Sequence, residues 1–457
     1  MPFLNIKDWL FEHKHQLGWW FDKLCLLAIV TVAYGLAVSH PFIGGEDWNV
    51  SMDGSRLFSG IFIYGGRGVG RLVGNAWTYS LLWNPFGLVQ LGELIGISCV
   101  AMFIWKVLRA EALWVRATLS SLFLFGFPYL VQGIMFRAIG NNHGVSTLVF
   151  IGLLTMIARG DRPRVIDQLC VACLAAFLAL AYEPWLIFLV GVFLIAIGAK
   201  LVPRLFGKLR IYRMSTRQIF AIGLPIVGCL LLRVFTLGGQ GALPAYGVAP
   251  SALFKLTIVT ARILMNILID SLPIGAIIGF GVMRSTRHTA FSKMGLWPLF
   301  LFGSIFATVV INFGYGMLLK GGVIDWRSRY VIMLTLCAFY YSVPWSSVGD
   351  WTQKRTGIVA KRSVGFAVAL LSLKLVYTVV FTFVITPVDR VGWMQYRSRI
   401  LARDPSVLQD FTDFGQCDNK YCYSFSGPGF AHPFILQYWK GGTSAQLIPW
   451  LPIEEFY

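Results

Sequence analysis

The stretch P-W-L-I-F-L-V-G-V-F-L-I-A-I-G-A, residues 184–199, contains no charged side chain. It is bounded by Glu183 and Lys200, and the stretch before it, 165–182, is nearly as apolar. A transmembrane helix needs about 20 mostly apolar residues to cross the roughly 30 Å of hydrocarbon in a bilayer. Two such stretches in direct succession predict a pair of membrane-spanning helices.

Comparable apolar blocks occur along most of the chain. About eleven of them resemble spans in length and composition, near residues 23–39, 87–106, 117–131, 143–158, 165–182, 184–199, 218–236, 262–283, 296–319, 329–348 and 363–386. Only 13% of the residues are charged, whereas soluble domains carry about 25%. The sequence therefore predicts an all-α integral membrane protein with about 11 transmembrane helices.

The net charge of +18 does not indicate nucleic-acid binding, because the 39 Lys and Arg residues are scattered between the apolar blocks. A cytoplasmic N-terminus places the larger share of these cations on the cytoplasmic side, as the positive-inside rule requires. The C-terminus is then outside. No small-residue cleavage site follows the first apolar block, so this block is expected to remain in the protein.

Two outer segments are long enough to fold, namely the loop 40–84 and the tail 391–457. The tail has the aromatic, Gly and Pro content of an ordered domain. We predict a membrane domain, 1–390, that includes the loop, followed by a small C-terminal domain. In the tail, Cys417 and Cys422 enclose a short loop in an oxidising compartment, which favours a disulfide.

The remaining cysteines and the histidines predict no metal site. The other six cysteines lie in apolar blocks, where Cys behaves as a small hydrophobic residue. The six histidines show no metal-ligand spacing. Glu93 and Asp270 fall within predicted spans, where an ion relay and structural bonding between helices are the alternatives and bonding is favoured.

The loop 40–84 contains G-G-E-D-W-N-V-S-M-D, which places Glu46, Asp47 and Asp53 shortly after the first span. A partly desolvated carboxylate has a raised pKa and can take a proton from a hydroxyl nucleophile. We predict Asp47 or Glu46 as the catalytic base, with Asp53 and Trp48 in contact with substrate. A solvated loop without function is the alternative.

The same loop continues into Y-G-G-R-G-V-G-R, where Arg67 and Arg71 stand among glycines. A guanidinium at a glycine-rich turn is suited to a phosphate oxygen. An amphipathic helix on the membrane surface, with both arginines on lipid phosphates, is the alternative. A dinucleotide fingerprint is excluded, because it requires a strand before the glycines and a helix after them.

Three further segments at outer span ends carry polar groups in apolar surroundings. They are F-P-Y-L-V-Q-G-I-M-F-R, A-Y-E-P-W and D-W-R-S-R-Y, which supply the candidates Tyr129, Arg137, Tyr182, Glu183, Asp325, Arg327 and Arg329. Arginine on the outer side requires a partner, and an anionic ligand is one candidate. A structural ion pair within a segment is the other. Because all three segments lie on one face, we predict a shared cavity, whose aromatic residues also suit carbohydrate.

These motifs, in this order, resemble the serotype-converting, type-specific glucosyltransferases that modify bacterial O-antigen, a family of the GT-C superfamily of polytopic glycosyltransferases. The resemblance covers roughly residues 20–390. It implies a GT-C-like bundle in the bacterial inner membrane with a periplasmic C-terminal domain. The implied activity transfers a sugar, expected to be glucose, from a polyprenyl-phosphate donor to a lipid-linked polysaccharide of the lipopolysaccharide pathway on the periplasmic face.

The resemblance also implies an inverting displacement at the anomeric carbon of the sugar. Glu46 and Asp47 occupy the family's catalytic position, although paired Asp is expected there, and Tyr182-Glu183 stands where Tyr-Gln is usual. No cofactor is expected, while a Mg²⁺ ion held by Glu46 and Asp47 is left open. Arginines would stabilise the lipid phosphate as it leaves, and the candidates are Arg67, Arg137, Arg327 and Arg329.

Two other functions remain open. A lipid-linked oligosaccharide flippase or other transporter would show internal symmetry and charged residues at the membrane midplane. An O-antigen polymerase or ligase would have its main functional loop late in the chain, whereas here the long loop is early. The partners of the favoured function are the sugar donor, the polysaccharide acceptor and membrane lipids, without nucleic acid.

Overall fold

The structure is a computed structural model, which describes residues 24, 27, 137–158, 164–203, 215–238, 250–284, 295–318, 326–344, 365–367, 369–370, 373, 395, 398–400 and 402–409. In this part of the chain 93% of the residues are helical and no strand is present, which confirms the all-α class. The long helices are α1 Arg137–Ala158, α2 Val165–Ala181, α3 Glu183–Leu201, α4 Thr216–Gly238, α5 Pro250–Arg284, α6 Trp297–Leu318 and α7 Trp326–Ser342. A short 3₁₀ helix, Pro405–Gln409, follows near the C-terminal end of the described residues.

A single residue separates α2 from α3. Tyr182 is extended, with φ −159° and ψ 141°, and its carbonyl accepts hydrogen bonds from the N–H groups of Trp185 and Leu186. Pro184 follows in the first turn of α3, where its missing N–H removes no helical hydrogen bond. The two apolar stretches predicted as separate spans are therefore two helices with an abrupt break between them.

Local side-chain bonds fix the starts of two other helices. Asp167 accepts a hydrogen bond from the Arg164 N–H at 2.9 Å, before α2. Before α4, the Ser215 hydroxyl accepts from the Gln218 N–H at 3.2 Å, while Gln218 Oε1 accepts from the Ser215 N–H at 2.9 Å. This reciprocal pair is a capping box, which satisfies backbone donors that a helix start leaves unpaired.

Helix α5 is longer than the span predicted at 262–283. It begins at Pro250, so its length is about 52 Å at 1.5 Å per residue. The helix contains this whole predicted span and begins twelve residues before it, with Lys255 in the added part and Arg262 at the predicted start. In the structure both side chains are exposed, so neither charge stops the helix.

Helix α3 is central among the described helices and packs against α2, α4, α6 and α7. Its composition explains this position, because a helix that is apolar on all sides is suited to burial on several faces. Helix α6 also packs against α5 and α7. Contacts of Ser304 with Thr335 and of Trp297 with Phe339 show that α6 and α7 run antiparallel.

Glycines allow α3 and α6 to approach closely. A Cβ built on Gly191 would lie 3.0 Å from the Cα of Gly303. A Cβ on Gly303 would lie 2.8 Å from the ring of Phe188 and 2.9 Å from Val192. Both of these side chains are buried, so they have little room to move.

Gly303→Ala should therefore lower the free energy of unfolding by about 1–3 kcal/mol, the usual cost of overpacking. Gly228→Ala is the matched control, because no atom lies within 4 Å of the Cβ it would add. The control should leave stability unchanged or raise it by up to about 1 kcal/mol through helix propensity. Thermal unfolding in detergent micelles measures both variants, and equal stability would contradict a tight crossing.

The interior of the described bundle contains polar side chains that join helices. Along α7, Tyr330 bonds Thr147 of α1, Thr335 bonds Ser304 of α6 and Tyr340 bonds Ser271 of α5, with oxygen–oxygen distances of 2.8, 2.7 and 2.8 Å. Asn312 of α6 donates to the Thr260 hydroxyl of α5. Large apolar side chains on the outside of α4 and α5 are more than half exposed, namely Phe220, Leu224, Leu231, Phe254, Ile269 and Leu272.

Two described helices are long and apolar enough to cross a membrane. They are Glu183–Leu201 and the section Phe254–Ala276 of α5. These lengths and compositions give weak support for membrane association. The complete set of about eleven spans, the orientation of the N-terminus and the division at residue 390 stay predictions.

Near the end of the described chain, Ile400 and Val407 are fully buried. The carboxylate of Asp404 accepts a hydrogen bond from the Ser406 N–H at 2.9 Å, before the 3₁₀ helix. Hydrogen bonds from the backbone and side chain of Ser406, with Arg399 nearby, hold the pKa of Asp404 below its usual value. These contacts order residues 398–409 locally.

Candidate functional site

The predicted site is divided between described and undescribed residues. Arg137 is the first residue of α1 and Arg327 the second of α7. Tyr182, Glu183 and Arg329 are described with their side chains. The remaining candidates lie outside the described residues, namely Glu46, Asp47, Trp48, Asp53, Arg67, Tyr129, Asp325, Cys417 and Cys422.

The three described candidates lie where helices begin. Tyr182 immediately precedes α3 and is buried, and Glu183 is the first residue of α3 and is half-buried. Arg329 is in the first turn of α7, and only 4% of it is exposed. The motifs A-Y-E-P-W and R-S-R-Y therefore both form helix starts.

Helix α1 connects these two helix starts. The hydroxyl of Thr147 lies 2.8 Å from that of Tyr330, the residue after Arg329. The ring of Phe150 lies 4.8 Å from that of Trp185, at an angle of 43°. Because Thr147 and Phe150 are three residues apart, they lie on one face of α1. One face of α1 thus contacts the starts of both α3 and α7. We call these two helix starts, together with the residues of α1 that contact them, the helix-start cluster. Its members are Thr147, Phe150, Tyr182, Glu183, Trp185, Arg329 and Tyr330.

The third predicted segment, F-P-Y-L-V-Q-G-I-M-F-R, is described only at its last residue, Arg137, which lies away from this cluster. Arg137 precedes Thr147 by ten residues, which corresponds to about 15 Å along α1. Tyr129 is outside the described residues. In the described part of the chain, one face of α1 therefore contacts two of the three predicted segments, and Arg137 at the start of α1 lies farther along the helix.

The two helix starts differ in charge. A helix N-terminus carries a partial positive charge. It stabilises a negatively charged side chain nearby and destabilises a positively charged one. Helix α3 has Glu183 in its first turn, whereas α7 has no acidic residue there and contains Arg327 and Arg329. Glu183 and Arg329 each make a further interaction within the protein. The first turn of α7 thus carries basic residues, with Asp325 directly before it in the sequence, whereas the first turn of α3 carries an acidic one.

An aromatic group supports the start of α3. Trp185 is fully buried and contacts Phe150, and its ring also lies 6.3 Å from that of Phe188 in an edge-to-face arrangement. The ring of Phe188 in turn stacks on that of Phe300 at 6.4 Å. The indole Nε1 of Trp185 is buried and has no hydrogen-bond acceptor among the described residues.

Sequence reasoning missed two members of the cluster as site residues, Thr147 and Phe150. Trp185 and Tyr330 belong to motifs that were recognised, but their roles depend on which helices meet. Thr147 gave a weaker signal, as a hydroxyl near the start of an apolar block. Such a hydroxyl often bonds across helices in a membrane protein.

No metal site is formed by the residues that the structure describes. Among them, no group of three or more His, Cys, Asp and Glu residues could hold a metal ion. Cys170, Cys173, Cys229 and Cys337 are free thiols. Asp270 is half-buried on α5 and interacts within the protein. Glu93 lies outside the described residues.

Comparisons of the chain with protein-family models, with characterised proteins and with solved structures find no match. The resemblance to O-antigen glucosyltransferases therefore depends on the sequence motifs alone.

Proposed function

We propose that this protein is an integral membrane glycosyltransferase of the GT-C type. It transfers a sugar from a polyprenyl phosphate to a lipid-linked polysaccharide on the periplasmic face of the inner membrane. The observation that carries the proposal is the helix-start cluster, in which one face of α1 contacts residues from two of the motifs behind the family resemblance, Trp185 and Tyr330.

The distribution of polar and apolar residues supports a membrane location. In a bilayer, helices associate through small residues and hydrogen bonds, because lipid tails are as apolar as leucine. The described bundle has this arrangement, with hydroxyls and glycines at helix contacts and large apolar side chains outside. Large apolar side chains exposed on the outside of α4 and α5 are suited to contact with lipid.

The charges of the cluster suggest how the donor binds. The lipid phosphate gains negative charge as the sugar leaves it, so aligned donors stabilise the transition state more than the ground state. Arg329 and the N-terminus of α7 supply positive charge of this kind. A guanidinium forms two parallel hydrogen bonds to phosphate. The acceptor hydroxyl must lose a proton, and Asp47 or Glu46 of the first outer loop is the proposed base.

A transporter is the second candidate function, and the hydroxyls along α7 are the feature that would suit a polar path. Tyr330, Thr335 and Tyr340 are five residues apart, so each step turns by about 140° around the helix. They bond three different helices. Because they point to different sides of α7, they join helices and do not line one path.

A transfer assay tests the proposal. Purified full-length protein in lipid nanodiscs should move labelled glucose from polyprenyl-phosphate glucose to lipid-linked O-antigen. In sealed vesicles, it should not move the labelled lipid from one leaflet to the other. Movement of the lipid without transfer would contradict the enzyme and favour the transporter. Mass and linkage analysis of polysaccharide from cells with and without the protein would identify the sugar and linkage.

A further inference from the structure

Helix α5 carries two cations on its exposed surface. Lys255 and Arg262 are both exposed, although they belong to the section Phe254–Ala276 that is long and apolar enough to cross a membrane. A charged side chain in contact with lipid tails is costly, and such residues usually lie near the membrane surface or have a partner. The depth of these two cations in a bilayer therefore indicates what they contact.

The length of α5 defines this depth. Residues 263–283 contain a single charged residue, Asp270, and they extend over about 31 Å of helix. This length matches the roughly 30 Å of hydrocarbon in a bilayer. A bilayer centred on this section leaves the N-terminal part of α5, with Lys255 and Arg262, at the level of the lipid head groups.

Contacts with α6 and α7 place the N-terminal part of α5 level with the start of α7. Thr260 of α5 accepts a hydrogen bond from Asn312 of α6. Ser304 of α6 bonds Thr335 of α7, and α6 and α7 run antiparallel. Asn312 follows Ser304 by eight residues, so it is level with the residue eight places before Thr335, in the first turn of α7. The cations of α5 are thus on the predicted outer side, where a cation requires an anionic partner.

Lys255 and Arg262 lie on one face of α5. They are seven residues apart, which corresponds to about 10.5 Å along the axis and to nearly two complete turns. Asn266, one turn further on, is also exposed and lies on the same face. The buried residues Leu256 and Ile263 are about 80–100° away around the helix. We call the three polar residues the α5 polar stripe.

An apolar stripe runs beside the polar stripe. Its side chains are turned by about 40–100° from Lys255, in the direction opposite to the buried residues. They are all more than half exposed, namely Phe254, Ile258, Met265, Ile269 and Leu272. From Arg262 to Leu272 the stripe extends over about 15 Å. This distance is half the thickness of the hydrocarbon, which is the depth of one leaflet.

This face of α5 matches the two parts of an anionic phospholipid. We propose that Lys255 and Arg262 bind the phosphate group of such a lipid, while one of its acyl chains lies along the apolar stripe. Long basic side chains can lean towards a head group between them, with their methylene groups on apolar surface. An apolar helix, from a second copy or from this chain, would leave both cations without a counter-charge. The inference requires a membrane location but not the proposed transfer activity.

Removal of charge from this face tests the proposal. Full-length protein in detergent micelles is titrated with labelled phosphatidylglycerol, which is anionic, or with labelled phosphatidylcholine, which has no net charge. Lys255→Gln, Arg262→Gln and the double substitution are compared with Arg217→Gln, which removes an exposed cation from α4. All three positions are exposed, so each variant should fold as the wild type does, and thermal unfolding verifies this.

Wild-type protein should bind phosphatidylglycerol more tightly than phosphatidylcholine. Each single substitution on α5 should weaken phosphatidylglycerol binding by about 5-fold, and the double substitution by about 30-fold, the usual contributions of one and two cations near anionic lipid. Binding of phosphatidylcholine should be the same in all variants. Arg217→Gln should bind both lipids as the wild type does.

Unchanged phosphatidylglycerol binding in the double variant would overturn the proposal. An equal loss in Arg217→Gln would also overturn it, because only the net charge of the protein would then matter. Displacement of the lipid by soluble glycerol phosphate would identify a site for a free anion, and displacement by a lower concentration of polyprenyl phosphate would assign the face to the carrier lipid. Either displacement would exclude a phospholipid as the ligand of this face.

Discussion

Arg329→Lys should lower the rate of sugar transfer by about 100-fold or more, the scale seen when one transition-state hydrogen-bond donor is lost. Arg329 is almost fully buried at the start of α7, where it has been assigned to the donor phosphate. Lysine keeps the positive charge, but a single ammonium group cannot form the two parallel hydrogen bonds of a guanidinium. The loss should therefore appear although the charge is unchanged.

Arg217→Lys is the control for this substitution, because Arg217 is exposed on α4. Substitutions of exposed residues usually change the free energy of unfolding by less than about 0.5 kcal/mol. Transfer by the control should therefore stay within about twofold of wild type. The Michaelis constant for the donor should rise in Arg329→Lys, while that for the acceptor should not. A purely structural arginine would lower stability and affect both substrates alike. Normal transfer by Arg329→Lys would move the phosphate site to the other candidates, Arg67 and Arg327, with Arg71 next.

Arg137→Lys has a different expected result because of the position of Arg137 on α1. The sequence placed Arg137 with Arg329, because both lie in polar segments at outer span ends. In the structure, about 15 Å of helix separates Arg137 from Thr147, which bonds the neighbour of Arg329. Arg137→Lys should therefore affect transfer less than Arg329→Lys does.

The sequence predicted the helices well where the signal is local. The uncharged run of α3 predicts a helix by composition, and Tyr182 with Pro184 predicts the break before it. Helix α5 begins before the predicted span, because a helix can continue beyond the apolar run that marks a span. Lys255 and Arg262 are exposed on the surface of the helix, and no composition rule places them there.

The candidate site depends on contacts between distant parts of the chain. Thr147 and Tyr330 are 183 residues apart, and nothing in either motif specifies the other as a partner. Polar residues in apolar blocks predicted that bonds between helices exist, but the choice of partner comes from the packing of the whole bundle. The unsatisfied N–H of Trp185 is likewise a property of the packed structure, because the sequence shows only a tryptophan at a helix start.

Asp47→Asn is expected to reduce transfer by about 100-fold or more, a typical contribution of a general base. The substitution keeps the size and hydrogen bonding of the side chain and removes the proton acceptor. Asp47 is preferred over Glu46 because its shorter side chain beside Trp48 is more easily held rigid and desolvated. It is preferred over Asp53 because Asp53 lies farther from the end of the first predicted span.

Donor binding distinguishes this role from that of the helix-start cluster. Asp47→Asn should bind polyprenyl-phosphate glucose with normal affinity and fail in the chemical step, so the turnover number falls while the donor dissociation constant is unchanged. Glu183→Gln should show the opposite division, because Glu183 is a predicted substrate contact at the start of α3. Single-turnover transfer, measured beside donor binding for both variants, separates the two effects. If Asp47→Asn and Glu46→Gln both transfer sugar at the wild-type rate, the base is not in this part of the loop, and Asp53, Glu183 and Asp325 become the carboxylates to test.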